Sequence, residues 1–243
     1  MAPVGLDVVA NGGRVDLGRR LFIGGSLTIL AGLAWAWTVS LADMPGCQGM
    51  PTPSFLLMWT VMMAAMMFPA VIPVVVAFVS LSGARGASTA LTATAFVVGY
   101  LVVWGLLGVP AQALLSASAS AVAARPVLAR AAGPIMIACG VYQLTPLKDA
   151  CLRHCRVPHL FLGHHWRDGV AGAFVLGAHH GLFCAGCCAS LMIVLLVVGV
   201  MDVGWMVALS VLIYLEKILP AGLRLGRVAG LGLCIIGVVK LLA

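Results

Sequence analysis

The chain has 243 residues, of which 63% are hydrophobic and 9% are charged. A water-soluble domain carries about 25% charged residues, so this composition excludes an ordinary soluble domain and selects a lipid bilayer as solvent. The formal net charge of +7 does not signal nucleic acid, because Lys and Arg are scattered through short gaps between apolar runs, not gathered on one face.

The first twenty residues are polar and Gly-rich and read as a tail. They are followed by a single all-α transmembrane domain over 21–243. Its first span is Leu21–Leu41, too long for the apolar stretch of a signal peptide. The next three are Phe55–Leu81, Ala90–Leu115 and Val127–Leu147. The fifth, Val170–Val200, reaches ~45 Å if fully helical, so it must tilt, kink or project beyond the bilayer. Val203–Leu219 and Leu223–Leu242 complete a bundle of about seven spans, or six if the long fifth span is divided differently.

Loop charge orients this bundle. With the N-terminus in the cytoplasm, that side receives Arg14, Arg19, Arg20, Arg85, Lys148, Arg153, Arg156, Arg167, Lys217, Arg224 and Arg227. The opposite side receives Arg125, Arg130 and Lys240. Cationic loops stay on the cytoplasmic side, which gives N-in, C-out. The apolar spans and the charge pattern together predict an integral membrane protein.

Four constellations carry chemistry. In the second span, Met58, Met62 and Met66 recur every four residues and share one helix face, with Met63 and Met67 in an adjacent row. Thioether sulfur is soft and suits copper(I), although Met is also an adaptable core filler. In the fifth span, His180, Cys184, Cys187 and Cys188 stand at i, i+4, i+7 and i+8, one stripe of a helix that Met192 extends. Imidazole and thiolate on one stripe can converge on one ion, and polar side chains within a span mark function.

The third constellation is the Cys/His-rich cytoplasmic-side segment 148–168. It holds Cys151 and Cys155 one helical turn apart, with His154, then His159, His164 and His165. It reads either as a port for a metal or as an interfacial segment meeting lipid headgroups. Pro158 is placed to end its first helix. In the fourth, Glu216, the only Glu of the chain, stands beside Lys217 and is expected to pair with an intramembrane Arg or Lys. Tyr142-Gln143 close the fourth span and offer polar contacts nearby.

Depth relates the first two sets. Met62–Met67 lie ~12–20 Å into the membrane from one side and Cys184 ~20 Å from the other. Both reach mid-bilayer, which permits one mixed Met/Cys/His site.

These motifs together resemble a family of predicted metal-binding integral membrane proteins, domain of unknown function 2182, whose members are sometimes labelled copper chaperones. The resemblance runs from about Met58 to Pro220. It rests on Met58-Trp59 through Met66-Met67 and Pro69, on Tyr142-Gln143 with Leu147-Lys148, and on Cys151 with Cys155-Arg156 and Pro158. It continues through His165-Trp166-Arg167, His180-Gly181, Cys184 with Gly186-Cys187-Cys188, and Glu216-Lys217 with Pro220. It implies metal binding and leads to an aromatic residue after the paired Cys, where this chain has Ala189.

The residues therefore point to copper(I) held by Met62, Met63, Met66, Met67, His180, Cys184, Cys187, Cys188, Cys151 and Cys155. The role would be binding, handling or transfer, with a soluble or membrane protein as metal donor or acceptor. Zinc also accepts Cys/His sets, but thioethers add little to a zinc site. Two competing readings are a membrane oxidoreductase and a scaffold subunit whose Cys only pack. The oxidoreductase would exchange thiols and disulfides with a quinone, or use copper to oxidise a lipophilic substrate. No nucleotide-binding signature or Ser-His-Asp set stands out, and the residues leave an enzymatic role open.

Overall fold

The computed structural model describes residues 17–42, 50–84, 89–120, 125–200 and 202–242. Most of the expected N-terminal tail, together with Arg14 and Arg85, lies outside these residues.

Among the described residues the chain is helical, without strands. The helices are α1 (Leu17–Leu41), α2 (Thr52–Ala84), α3 (Thr89–Ser120), α4 (Arg125–Gln143), α5 (Pro146–Arg156), α6 (Pro158–His165), α7 (Gly169–Val198), α8 (Val203–Ile218) and α9 (Gly222–Leu242). Each expected span falls largely on one helix, although the fourth, Val127–Leu147, runs past the end of α4 at Gln143 into α5, and α1 starts at Leu17, inside the expected tail.

Five helices, α1, α2, α3, α7 and α9, are long and apolar enough to cross a membrane. The other two of the seven-span reading fall short for identifiable reasons. In α4 the apolar part is only Ala131–Gln143, because Arg125 and Arg130 occupy its first turns. Helix α8 has 16 residues, or ~24 Å, against a hydrocarbon thickness of ~30 Å. The long fifth span runs unbroken as α7 and stops where Gly199 takes φ +138°, a conformation open to glycine.

The layering follows from which helices hide their side chains. In α2, 67% of the apolar window is buried, against 17% in α1 and in α9. Helix α2 is thus central, and α1 and α9 present apolar residues such as Phe22, Leu33, Ile235 and Leu242 outward. Such outer faces suit lipid contact. Helix α2 packs against α1, α3, α8 and α6. Helix α7 packs mainly on α3, and also on α5, α4 and α8. Helices α4 and α9 form a second close pair.

Glycines permit the closest approaches. A Cβ at Gly177 of α7 would collide with the Phe96 carbonyl of α3, and one at Gly99 of α3 with the Phe174 carbonyl of α7. Between α4 and α9, Gly140 and Gly230 meet in the same way. Small residues that let backbones approach are the usual means of helix association in lipid, where apolar burial gives no driving force. Pro69 and Pro73 in α2 and Pro110 in α3 interrupt backbone hydrogen bonding, which neighbouring helices in a membrane bundle can tolerate.

The short helices α5 and α6 lie between α4 and α7 in the chain. Thr145 caps α5, its hydroxyl accepting from the Lys148 N–H, and Pro146 follows at the first helical position. Helix α5 ends at Arg156 and Pro158 opens α6, so the proline both stops one helix and starts the next. Lys148, Leu152 and Cys155 form the buried face of α5.

Gly177→Val should destabilise the bundle by about 2–3 kcal/mol, the range for overpacking a tight contact. Gly32→Ala, with nothing within 4 Å of the added carbon, should leave stability unchanged. Thermal unfolding of the detergent-solubilised variants measures both.

Candidate metal centre

The α7 stripe is buried, as its spacing predicts. His180, Cys184, Cys187 and Cys188 are each at most 1% exposed. Cys155 of α5 completes the group from the opposite side, with its Sγ 3.9 Å from that of Cys187. The Cys187 and Cys188 sulfurs are 3.5 Å apart, and the Cys187 thiol also donates to the Cys184 carbonyl at 3.1 Å. Cys184 in turn interacts with Cys155, Cys187 and Cys188. Four thiols from two helices thus share one small volume. The Cys155 thiol is pushed above the ordinary thiol range by its hydrogen bond with Cys184 and by burial, while its contact with Cys187 opposes the rise.

Two polar groups missed in the sequence reading complete this centre. Lys217 of α8 donates to the Cys184 Sγ at 3.0 Å, and the Tyr100 hydroxyl of α3 lies 3.2 Å from the same sulfur. Lys217 is 7% exposed and Tyr100 1%. A signal for each was present: Lys217 is a cation within an apolar span, and Tyr100 is a hydroxyl in an otherwise apolar run. Neither could be paired with a partner from spacing alone, because their partners are on other helices. His180 stacks against Tyr100 at 5.9 Å between ring centroids, and its Nδ1 is buried with no hydrogen-bond partner.

A polar scaffold holds these parts in place. Glu216 pairs with Lys148 of α5, the Lys148 Nζ lying 2.8 Å from both carboxylate oxygens. The Gln143 carbonyl oxygen accepts from the same ammonium. Glu216, expected to pair with a cation, is paired with a buried Lys148, which the loop-charge reading places on the cytoplasmic side. Arg156 donates to the carbonyls of Glu216 and Leu219, at 2.8 and 2.6 Å, satisfying the end of α8. The Tyr142 hydroxyl donates to the Gly186 carbonyl at 2.7 Å, tying α4 to the middle of the Cys stripe.

The remaining predicted donors stand differently. Cys151, one turn before Cys155, is half-buried and sits against Gly186, its Sγ 2.9 Å from where a Cβ would stand. Burial alone pushes its thiol up. Met62, Met63, Met66 and Met67 are all at most 1% exposed and belong to the same continuous apolar core as the thiols. They enter that core from α2, which packs on α1, α3, α8 and α6, whereas α5 and α7 bring the thiols together. The Met rows thus lie on a different helix from those that carry the thiols, within the same core. Ala189, where the resemblance leads to an aromatic residue, lines a cavity of about 450 Å³ with Trp59, Trp104 and Met192.

Among the described residues, no three or more His, Cys, Asp or Glu side chains stand in the arrangement that encloses a metal ion. The Cys184 sulfur is engaged by the Lys217 ammonium and the Tyr100 hydroxyl, and the Cys187 thiol by the Cys184 backbone carbonyl as well as by its sulfur neighbours.

The fold and the site define a class: a protein that is all-helical among the described residues, with five helices there long and apolar enough to cross a membrane and a thiol-rich centre where two helices meet. The chain belongs to the PpoB2 family, described as a copper chaperone, whose model matches residues 56–240. That range contains every residue of the centre. Neither curated proteins nor solved structures give a match.

The Lys148–Glu216 pair is the element whose removal should be most damaging. Lys148→Met or Glu216→Gln alone should cost about 3–5 kcal/mol, because each leaves one buried polar group uncompensated. The double variant Lys148→Met/Glu216→Leu should recover most of that loss in thermal unfolding.

Proposed function

We propose that the protein is a membrane-embedded copper(I) carrier that takes up and hands on the ion through the thiols of Cys155, Cys184, Cys187 and Cys188, with His180 beside them. The observation that carries this reading is the convergence of four buried sulfurs from α5 and α7 in a chain of a copper-chaperone family. Thiolate is the soft ligand that selects copper(I) among biological cations. His180 adds a buried imidazole nitrogen with no partner of its own. Copper(I) is satisfied by two or three ligands, so two or three of these thiols suffice to hold it.

Lys217 gives the centre the property of a carrier as distinct from a store. Copper(I) bound by two thiolates leaves one net negative charge. A buried charge of that kind is costly unless compensated. The Lys217 ammonium, already on Cys184, supplies the compensation, and it also competes with the ion for the same sulfur. Binding is thus reversible by a short movement of one side chain. Copper is cargo in this reading, and no redox step is required.

A seven-span, N-in arrangement, in which α4 and α8 also cross the bilayer, would fit this role. Lys148, Arg153, Arg156 and Arg167 lie on and around α5 and α6, and Arg227 pairs with Asp149 of α5 at 3.3 Å. A basic end of this kind faces the cytoplasm under the positive-inside rule. The centre would then exchange copper with a protein on that side, in the inner membrane of a bacterium.

A thiol-disulfide oxidoreductase is the second reading. The observation that favours it is the same lysine, since a cation beside one Cys of the Cys184/Cys187 pair is a feature of reactive dithiols. Thiol trapping before and after addition of a quinone separates the two, because a carrier keeps all its thiols reduced throughout.

Anaerobic loading with copper(I), followed by mass spectrometric metal analysis, should give near-stoichiometric copper in the wild type. Cys184→Ser/Cys187→Ser should lose the copper that survives a chelator wash, and zinc should not replace it. Lys217→Met should weaken copper retention roughly tenfold or more, equivalent to about 1.4 kcal/mol, in a chelator competition titration. Undiminished copper in the double Ser variant would refute the assignment of the centre.

A further inference from the structure

The thiol centre is closed, and copper must reach it from outside. The histidines of α5 and α6 stand where that approach would begin. His154, His164 and His165 line a cavity of about 540 Å³ together with Arg153, Val157 and Phe161. Two of these imidazoles are held in one tautomer. His154 Nδ1 lies 2.9 Å from the Ala150 carbonyl and His165 Nδ1 3.2 Å from the Phe161 carbonyl. A carbonyl only accepts, so each Nδ1 carries the proton and each Nε2 keeps a free lone pair. Imidazoles that bind metals are oriented in this way, through a hydrogen bond from the nitrogen that does not bind.

Packing fixes the ring planes as well. His154 lies flat on Phe183, with centroids 4.0 Å apart and planes within 4°, and His165 stacks on Phe161 at 5.1 Å. The two imidazoles are 6.3 Å apart, centroid to centroid. From there the rings continue inward. His165 meets His179 edge-on at 5.7 Å, and Phe161 meets the buried His180 at 5.2 Å.

We propose that His154 and His165 form a separate docking site for copper(I), binding through their two Nε2 atoms, from which the ion passes by way of His180 to the thiols. The proposal rests on the copper-carrier reading and adds the place where the ion first lands. Two nitrogen donors suffice for copper(I), and imidazole is softer than the carboxylate or water ligands that favour magnesium or calcium. In the transfer, Cu–N bonds break as Cu–S bonds form, and copper keeps its oxidation state. The proton leaving each thiol is taken by the imidazole nitrogen that the metal vacates.

The test uses the full chain in detergent, loaded anaerobically with copper(I) alone. With Cys155, Cys184, Cys187 and Cys188 all replaced by Ser, the chain should still take up about one copper, removed by a chelator wash, with imidazole nitrogen as its neighbour in X-ray absorption before the wash. Adding His154→Ala/His165→Ala should abolish that binding. In the chain with its thiols intact, His154→Ala/His165→Ala should leave the copper that survives a chelator wash unchanged and slow its loading several-fold. His159→Ala, an exposed histidine on α6, should leave the loading rate as in the wild type, and circular dichroism of each variant reports whether it has folded. Equal loading rates with and without the His pair, while the thiols still fill with copper, would overturn this inference alone. Failure of the wild type to bind any copper would overturn the carrier reading and the docking site together.

Discussion

The buried ion pair between Lys148 and Glu216 is the constraint on which the candidate centre depends. The two side chains are 1% and 3% exposed and 2.8 Å apart. In so apolar a surrounding, neither charge tolerates separation from the other, so α5 is tied to the end of α8. That tie sets two distances at once. It turns the Leu152 and Cys155 face of α5 onto α7, and it holds the next residue of α8, Lys217, against Cys184. Arg156 reinforces the connection by taking up carbonyls at the end of α8. The thiol centre is in this sense a by-product of an electrostatic clamp between a short helix and a longer one.

Glycine supplies the second requirement. The α3–α7 contact is close enough for Gly99 and Gly177 to exclude side chains, and this closeness places Tyr100 beside Cys184 and His180. A looser contact would put the hydroxyl out of reach of the sulfur. Electrostatic pairing on one side of α7 and small-residue packing on the other thus converge on the same helical turn. The result is a set of soft donors kept away from water, with one cation in attendance.

Much of this was legible in the residues. Apolar run lengths located the seven longer helices but not α5 and α6, and the i, i+4, i+7, i+8 spacing of His180, Cys184, Cys187 and Cys188 placed them on one stripe. Glu216 was recognisable as a group needing a cation. Spacing within one helix could not reveal which cation, because Lys148 lies 68 residues away. Cys151 and Cys155 were indistinguishable as a one-turn pair. Only the direction of the Lys148, Leu152 and Cys155 face separates the inward thiol from the flanking one. The Met rows of α2 illustrate the opposite limit. Their periodicity suits a metal and a packed core equally well, and which helix α2 faces is decided by tertiary contacts.

The account centres on sulfur ligation of a low-coordinate copper(I) ion by the α5 and α7 thiols, which copper K-edge X-ray absorption on the anaerobically loaded full chain tests most directly. It predicts a reduced copper edge and a nearest shell dominated by sulfur, lost when Cys155 and Cys187 are replaced by Ser. A nearest shell of oxygen and nitrogen only, or a sulfur shell that survives removal of these thiols, would contradict it.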